Sequence, residues 1–439
     1  MMYTVTPCAK INLGLNVTEK RSDGYHNIET VFYPVPIFDT IVIKETNAPN
    51  GTCHLKIEGN DIIGNPENNL VVKAYHKLHE LYTLPGVEIT LNKNIPTQAG
   101  MGGGSADCAY TLTALNDMFN IGIDDGTLVK IAAQLGADCP FFIKSQPAFA
   151  TGIGEVLSPI NINLDKYYLA IVKPQISVST KEAFAGIKTK NPKQCCKEIV
   201  ANSQISEWKE SLSNDFESTI FPLHLELKQI KESLYSEGAL YAAMSGSGSA
   251  LFGIFKENPK FYFKDCRVEC IKMNGAMEHI PIVDETGKTV GKTTRLYAHS
   301  GMKPLHPVVH LHVFNTKGEI FLQKRPEWKD VQPGKWDTAV GGHVDFGESV
   351  EKALFREAKE ELGISDFTIN RLCKYVFESD IERELIHAFS TIYDKTIHPS
   401  EKELDGGRFF SYKEIEQRIG KGFFTPNFEA EWLKLFKKK

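Results

Sequence analysis

Hydrophobic and polar residues alternate along several short stretches of the chain, and each such stretch predicts a β-strand. In the first, residues 3 to 17, Ile11 and Leu13 alternate with Lys10 and Asn12, which therefore lie on the other face of the strand. That polar face is either solvated or able to reach a substrate oxygen. Further strands are predicted at 40–46, 53–58, 87–91, 167–173, 264–271, 308–314, 320–324, 372–378 and 385–393, and a strand–turn–strand unit at 280–296.

Apolar residues spaced three and four apart predict helices between these strands. The clearest runs extend from Asn69 to Leu81 and from Leu128 to Leu135, where Gly136 suits the position after the last helical turn. Helices are also predicted near 181–186, 194–217 and 223–237 and from about 427. The mixture of strands and helices indicates an α/β chain. We place domains at 1–160, 161–272 and 278–439, with a boundary in the featureless stretch before residue 278.

The composition is typical of a soluble globular protein, and 439 residues suggest two to three domains. A net charge of about −5 lacks the basic excess that nucleic-acid binding requires. The nine cysteines are scattered, with no Cys-x-x-Cys pair, which fits reduced thiols in a cytoplasm. The N-terminus does not resemble a signal peptide, and no apolar run approaches the length of a membrane span. We therefore expect a cytoplasmic protein without nucleic-acid or membrane partners.

Four glycines and a serine crowd together between a predicted strand and a predicted helix: Gly100, Gly102, Gly103, Gly104 and Ser105. Glycine adopts positive φ and leaves backbone N–H groups open to a ligand. The helix that follows directs its unpaired N–H groups and its positive dipole end at the loop, so the stretch predicts a phosphate site. The alternative is a flexible glycine loop. A Walker A loop is excluded because no Lys-Ser or Lys-Thr follows the last glycine.

Four motifs occur in order within the first 272 residues: PCAKINLGLNVTEKRSDGYHNIETVFYPV, IPTQAGMGGGSADCA, LGADCPFF and MSGSGSALFG. Together they resemble the GHMP small-molecule kinase superfamily and, within it, the 4-diphosphocytidyl-2-C-methyl-D-erythritol kinases. The resemblance implies a two-lobed GHMP kinase fold that transfers the γ-phosphoryl group of ATP to a 2-hydroxyl group. The acceptor would be a cytidine diphosphate derivative of the non-mevalonate isoprenoid pathway. Met101 stands where the family often has leucine.

The same resemblance implies roles for individual residues. Asp138 would be the catalytic base, and Lys10 would orient and polarise the acceptor hydroxyl, while Asn12 would help to hold the substrate. The cytosine would be gripped by Tyr25, His26 and Phe184. The phosphates of ATP, with their Mg²⁺, would be cradled by Gly100, Gly102, Gly103, Gly104 and Ser105. A homoserine-type or mevalonate-type kinase is the alternative, and the cytosine-binding residues argue against it.

A second chemistry is predicted on an acidic helix near residue 355. Its apolar face consists of residues that recur every four positions: Val350, Leu354, Ala358 and Leu362. Glu357, Glu360 and Glu361 then share another face of the helix, and oxygen ligands of this kind suit Mg²⁺ or Mn²⁺. The alternative is a solvated acidic helix.

The fixed positions between Gly342 and Ile364 resemble the signature of the Nudix hydrolases, and the resemblance spans about 278–439. It implies a Nudix α/β/α sandwich that cleaves a diphosphate compound. The related isopentenyl-diphosphate isomerases have a metal site whose spacing is matched by His299, His306, His343, Glu382 and Glu384. Their catalytic cysteine, however, is replaced here by Gly341, which favours hydrolysis. A binding or regulatory module is the third possibility, and the intact carboxylates argue against it.

Overall fold

The chain forms two compact units, Met1–Met277 and Glu278–Lys439. The structure is a computed structural model that describes residues 1–59, 66–189, 192, 194–273, 275, 277–329 and 332–436. Both units combine helices with mixed sheets, and the predicted α/β class is confirmed. Among the described residues, no helix is long and apolar enough to cross a membrane.

The first unit contains twelve strands and nine α-helices among its described residues. The strands are β1 (Met2–Val5), β2 (Cys8–Lys20), β3 (His26–Phe38), β4 (Thr40–Glu45), β5 (Cys53–Gly59), β6 (Val87–Lys93), β7 (Ala148–Thr151), β8 (Val156–Pro159), β9 (Tyr168–Pro174), β10 (Tyr241–Met244), β11 (Leu251–Phe255) and β12 (Cys266–Lys272). The helices are α1 (Leu70–Tyr82), α2 (Gly103–Met118), α3 (Asp125–Ala133), α4 (Cys139–Lys144), α5 (Thr180–Phe184), α6 (Cys196–Asn202), α7 (Trp208–Ser211), α8 (Glu217–Ile220) and α9 (Leu225–Ser236).

Three sheets organise this unit. Strands β2, β3, β7 and β8 pair in that order, and β1, β4, β6 and β5 form a second sheet. The third sheet has the order β10-β11-β9-β12 and is antiparallel throughout. Helix α2 packs against α1 and α4 and follows directly after β6 and the glycine loop. The glycine loop therefore lies between a strand and a helix, as predicted.

Two of the predicted elements of the first unit differ from the observed ones. The predicted strand at 3–17 is interrupted at Thr6 and Pro7, because proline has no N–H to donate to a sheet. The predicted helical stretch at 194–217 is wrong as a continuous helix, since it contains only the short helices α6 and α7, a 3₁₀ turn between them and the first residue of α8.

The second unit contains nine strands and four α-helices among its described residues. The strands are β13 (His279–Val283), β14 (Thr289–Thr294), β15 (Leu305–Phe314), β16 (Ile320–Lys324), β17 (Trp336–Thr338), β18 (Val340–His343), β19 (Asn370–Glu378), β20 (Arg383–Ile392) and β21 (Gly407–Phe410). The helices are α10 (Arg295–Ala298), α11 (Val350–Leu362), α12 (Tyr412–Glu416) and α13 (Pro426–Glu431), which continues into a π-helical turn at Trp432–Phe436.

Strand β15 is central to this unit, because it pairs with β16, β18 and β20. Its odd-numbered residues, such as Val309 and Leu311, pack against Leu354 and Ala358 of α11. Its even-numbered residues face the other side of the sheet. There Val308 belongs to a second apolar cluster that includes Leu435 of the C-terminal turn. The sheet thus separates helix α11 from the C-terminal segment.

Candidate functional site

The predicted kinase residues surround one cavity of about 870 Å³ in the first unit. The cavity is lined by Lys10, Asn12, Tyr25, His26, Gly100, Gly102, Gly103, Gly104, Ser105, Asp138 and Phe184. These residues come from β2, from the last residue before β3 and the first residue of β3, from the glycine loop with the start of α2, from the residue before α4 and from α5. The fold therefore brings together positions that are more than 170 residues apart in the chain.

At two positions of the glycine loop, the backbone conformation and the close neighbours leave no room for a side chain. Gly100 has φ +70°, and a Cβ there would lie 1.9 Å from the carbonyl oxygen of Ser245. The Ser245 hydroxyl donates to the Gly100 carbonyl at 2.9 Å, which ties the loop to the turn after β10. Gly102 has φ +71° and is the residue before the first turn of α2. The N–H groups at the start of α2 consequently point into the cavity region, as an anion site requires.

Lys10, Asn12 and Asp138 form the polar centre of the cavity. The Lys10 ammonium donates to Asn12 Oδ1 at 2.7 Å and lies 3.4 Å from Asp138 Oδ2. Lys10 is buried and its ammonium lies 4.9 Å from the centre of the Phe32 ring, whereas the Asp138 side chain is partly exposed. A buried cation beside a partly exposed carboxylate can hold an acceptor hydroxyl and keep the carboxylate ready to take its proton.

The predicted cytosine-binding residues lie at one end of the same cavity. The rings of His26 and Phe184 stack with centroids 4.9 Å apart and an angle of 19°, and Phe216 supports Phe184 edge-on at 4.8 Å. Tyr25 is 61% exposed and its ring is available for stacking. Since His26 and Phe184 contact each other, a base can bind over the outer faces of this pair or beside Tyr25.

Sequence reasoning missed a buried ion cluster under the glycine loop. The Lys93 ammonium contacts Asp107 at 2.7 Å and also contacts Asp39, and all three side chains are buried. Burial alone would lower the pKa of Lys93, but the two carboxylates outweigh burial and raise it. The ammonium lies 3.2 Å from where a Cβ of Gly103 would be. The sequence signal was a lysine at a core-facing position of the alternating strand β6.

We expect Lys93→Met to lower the free energy of unfolding of the first unit by about 3–5 kcal/mol, because two buried carboxylates would lose their cation. Hydrogen exchange of the α2 amides measures the effect. Lys56→Met is the matched control, since Lys56 is exposed and its pair with Glu58 is screened by solvent. A loss below about 1 kcal/mol in Lys93→Met would show that the cluster does not stabilise the loop.

In the second unit the three predicted metal carboxylates differ in their surroundings. Arg356 lies among them and donates to Glu357 at 2.7 Å and to Glu360 at 3.3 Å. Glu360 is exposed, whereas Glu361 is only 7% exposed and accepts the Gly341 N–H at 3.2 Å. A Cβ at Gly342 would overlap the carboxyl group of Glu357, so only glycine allows this approach of β18 and α11.

The buried carboxylates fit a divalent cation. Burial raises the pKa of Glu357 to about 7, and burial together with repulsion from Glu357 raises that of Glu361 to about 8. Two carboxyl groups that burial and repulsion hold near neutrality gain most from a bound cation, which would stabilise their ionised form. Oxygen ligands of this type suit Mg²⁺. Glu357 and Glu361 are therefore better placed than the exposed Glu360 to hold the ion.

A group of three histidines lies on the same unit. One ring nitrogen from each of His299, His306 and His343 lies within 4.8 Å of the others. Burial lowers the pKa of His306 to about 4, so the ring is neutral, and its buried Nε2 has no hydrogen-bond partner among the described residues. The carboxylate of Glu382 contacts His299 Nδ1. Neutral imidazole nitrogens with a nearby carboxylate are the donor set of a transition-metal ion, so these residues fit a metal.

Comparison with known proteins identifies three families within the chain. They are the GHMP kinases N terminal domain at residues 69–146, GHMP kinases C terminal at 196–261 and the NUDIX domain at 304–429. The predicted two-lobed GHMP kinase fold with a following Nudix domain is confirmed by these matches.

Individual relatives match the kinase part. The 4-diphosphocytidyl-2-C-methyl-D-erythritol kinase of Bacteroides fragilis is 52% identical over 254 residues, covering 58% of this chain and 92% of the relative. That of Bacteroides thetaiotaomicron is 49% identical over 250 residues, covering 57% and 91%. A crystal structure of 4-(cytidine 5'-diphospho)-2C-methyl-D-erythritol kinase is 32% identical and covers 58% of this chain and 90% of that one, with a TM-score of 0.48. The chain is therefore an enzyme that belongs to the 4-diphosphocytidyl-2-C-methyl-D-erythritol kinase family of GHMP kinases and carries a NUDIX domain after its kinase part.

Proposed function

We propose that the first unit transfers the γ-phosphoryl group of ATP to the 2-hydroxyl of 4-diphosphocytidyl-2-C-methyl-D-erythritol. The observation that carries this proposal is the single cavity in which the glycine loop, the Lys10–Asp138 pair and the rings of His26 and Phe184 meet. We also propose that this unit consists of two domains, 1–160 and 161–272, and that residues 278–439 form the third.

Each residue of the cavity has a defined task in this reaction. Asp138 Oδ2 accepts the proton of the acceptor hydroxyl while its oxygen attacks the γ-phosphorus. Lys10, held by Asn12, keeps that hydroxyl in line and offsets the growing negative charge. The backbone N–H groups that begin α2 would hold the phosphates of ATP, and the Mg²⁺ bound with ATP would neutralise charge on the transferring group. Positioning and charge account for most of the catalysis in such transfers.

A panel of acceptors tests the assignment. The full chain is incubated with ATP, Mg²⁺ and either 4-diphosphocytidyl-2-C-methyl-D-erythritol, mevalonate or homoserine, and ADP formation is followed. We expect turnover with the cytidine compound alone. Phosphorylation of mevalonate or homoserine at a comparable rate would contradict the proposal.

The aromatic end of the cavity yields a prediction about affinity. Tyr25→Ala and Phe184→Ala should each raise the KM of the cytidine acceptor about 5- to 150-fold, because stacking contributes about 1–3 kcal/mol per base. The KM of ATP should stay within about twofold. Steady-state kinetics measure both constants, with Tyr82→Ala as a control, since Tyr82 is an exposed tyrosine at the end of α1. Equal rises in both KM values would mean that the rings are structural.

For the second unit we propose metal-dependent hydrolysis of a diphosphate linkage, with Mg²⁺ held by Glu357 and Glu361. The support is the pair formed by the buried Glu361 and the half-buried Glu357, whose carboxyl groups lie beside the Gly341–Gly342 backbone. A bound Mg²⁺ would neutralise the diphosphate and lower the pKa of the attacking water. Two hydrogen bonds orient these carboxylates. Arg356 donates to Glu357, and the N–H of Gly341 donates to Glu361.

Isopentenyl-diphosphate isomerisation is the second candidate for this unit, and the cluster of His299, His306 and His343 favours it. Such a cluster would provide a second metal site in this unit, because one ring nitrogen of each histidine lies within 4.8 Å of the others. Gly341 argues against isomerisation, because glycine has no side chain that could move a proton to or from carbon. The assay that separates the two candidates is argued in the Discussion.

A further inference from the structure

The imidazole ring of His310 lies next to Gly341 of the neighbouring strand. His310 of β15 is paired directly with Gly341 of β18. Side chains of such cross-strand pairs lie on the same face of the sheet. A Cβ added at Gly341 would lie 3.7 Å from Cδ2 and 3.8 Å from Nε2 of His310. The Nε2 edge of His310 therefore borders the space that a side chain at position 341 would enter.

The opposite edge of this ring faces a buried carboxylate. Nδ1 of His310 lies 3.1 Å from Oε2 of Glu431, which belongs to α13 and is 0% exposed. Burial lowers the pKa of His310, but Glu431 outweighs it and raises that pKa to about 9. The pKa of Glu431 is in turn held well below its usual range by His310 and His312, despite its burial. A carboxylate that fixes one imidazole nitrogen and leaves the other for chemistry is the arrangement of many acid–base groups.

His310 also borders the proposed metal-dependent site. The N–H of Gly341 donates to Oε2 of Glu361, while the position of a Cβ on Gly341 lies beside the His310 ring, so Gly341 neighbours both groups. The other acidic groups that act on His310 are Glu384 of the neighbouring strand β20 and Asp337 of β17. These carboxylates favour the protonated ring, which then carries a hydrogen on Nε2 that it can donate.

We propose that His310, oriented by Glu431, is the proton donor of the second unit and protonates the oxygen that leaves when a diphosphate linkage is cleaved. This inference rests on the proposed diphosphate hydrolysis. In the step, the P–O bond to the leaving oxygen breaks and a P–O bond to water forms. One proton of the water passes to solvent, and the Nε2 proton of His310 passes to the leaving oxygen. The imidazole regains its proton from solvent, while Glu431 stays ionised throughout.

The chain offers a matched control for this histidine. Nε2 of His312 lies 3.0 Å from the same Oε2 of Glu431. His312 is fully buried, and its ring packs edge-on against Phe436 at 4.9 Å. It lies on the same face of β15 two residues further along, where β18 has no residue paired with it. His312→Gln consequently removes an imidazole from Glu431 without changing the neighbourhood of Gly341.

The test compares His310→Gln with His312→Gln in the full chain. Each protein is incubated with Mg²⁺ and a panel of nucleoside diphosphates, cytidine diphosphate esters and isopentenyl diphosphate, and released phosphate is measured. We expect His310→Gln to lower hydrolysis about 100-fold or more and His312→Gln to stay within about threefold. Kinase activity, measured on the same samples, should be unchanged in both variants. If His310→Gln keeps more than about a fifth of the wild-type rate, the assignment is overturned while diphosphate hydrolysis stands.

A spectroscopic measurement tests the role of His310 independently of the proposed diphosphate hydrolysis. The full chain, labelled with ¹⁵N-histidine, is titrated with Mg²⁺ and methylenediphosphonate, and His310→Gln assigns the His310 signals. We expect Nε2 of His310 to shift while the ring nitrogens of His312 do not. If the wild type hydrolyses no diphosphate, the proposed function fails. This measurement alone then decides whether His310 lies in the diphosphate-binding site. An unmoved Nε2 would then overturn its place in the site, and a shift would support it.

Discussion

Replacing Asp138 by asparagine should lower the kcat of the kinase reaction about 10²- to 10⁴-fold, which is the usual contribution of a general base. Asparagine keeps the size of the side chain but cannot take the proton of the acceptor hydroxyl. Asp138 directly precedes α4, and its side chain makes no capping hydrogen bond there, so folding should be preserved. The affinity for ATP should change little, because we propose that backbone N–H groups of the glycine loop, and not this carboxylate, hold the phosphates.

Asp124→Asn is the matched control for this variant. Asp124 also precedes a helix, but its side chain caps α3 by accepting from Thr127, and it does not line the cavity. The control should keep wild-type kcat. Steady-state kinetics at saturating ATP and acceptor give kcat, and circular dichroism reports the fold. A loss of less than about threefold in Asp138→Asn would exclude Asp138 as the catalytic base.

Much of the kinase site could be predicted because its parts leave local sequence signals. Glycines in the loop are required by positive φ at Gly100 and Gly102, and this requirement is visible in the sequence without a structure. The alternation around Lys10 predicted that Lys10 and Asn12 lie on the face of the strand opposite Ile11 and Leu13, and both residues line the cavity. The alternation did not predict that this polar face is buried, with the Lys10 ammonium in contact with Asn12 and Asp138.

Other features could not be predicted because they depend on contacts between distant segments. The ion cluster under the glycine loop joins Lys93 to Asp39, which is 54 residues away in the chain. Strand β3 was missed, since its apolar run includes Pro34 and Pro36, which argue against a strand by local rules. The structure accommodates them beside β2, with register shifts between the two strands. Tertiary pairing, which the sequence does not display, overrides the local preference here.

The Nudix helix likewise has features that could be predicted from the local sequence and features that could not. Its period of four residues predicted α11 and the shared side of its carboxylates, and the helix is found at Val350–Leu362. The burial of Glu361 could not be predicted, because it results from β18 packing on the helix through Gly341 and Gly342. The partnership of His310 with Glu431 spans 121 residues and likewise leaves no local pattern beyond histidines at alternate positions of β15.

The second large effect is expected for Glu361→Gln, which should lower the rate of diphosphate hydrolysis about 10²- to 10³-fold. A loss of this size is expected because a bound metal ion stabilises the transition state by several kcal/mol, and the variant would no longer hold the ion. Glutamine can still accept the Gly341 N–H through its amide oxygen, so the packing of β18 on α11 is kept. It also removes a carboxyl group whose pKa burial raises to about 8, so stability should not fall. Glu351→Gln, in the first turn of the same helix, where Glu351 is half-buried and pairs with Arg371, is the control and should keep full activity.

The same assay decides between hydrolysis and isomerisation. Hydrolysis needs a cation at Glu357 and Glu361 and an activated water. Isomerisation needs proton transfer at carbon from both sides of an allylic unit, in a site without water. The full chain is therefore given isopentenyl diphosphate and Mg²⁺, the products are followed by NMR, and the diphosphate panel is tested in parallel. We expect cleavage of at least one diphosphate, its loss in Glu361→Gln, and no dimethylallyl diphosphate, because Gly341 has no side chain to exchange a proton with carbon and the proposed donor His310 protonates oxygen. Dimethylallyl diphosphate formed at an enzymatic rate without any hydrolysis would overturn this assignment and would make the three-histidine cluster, rather than the Nudix carboxylates, the centre of the reaction.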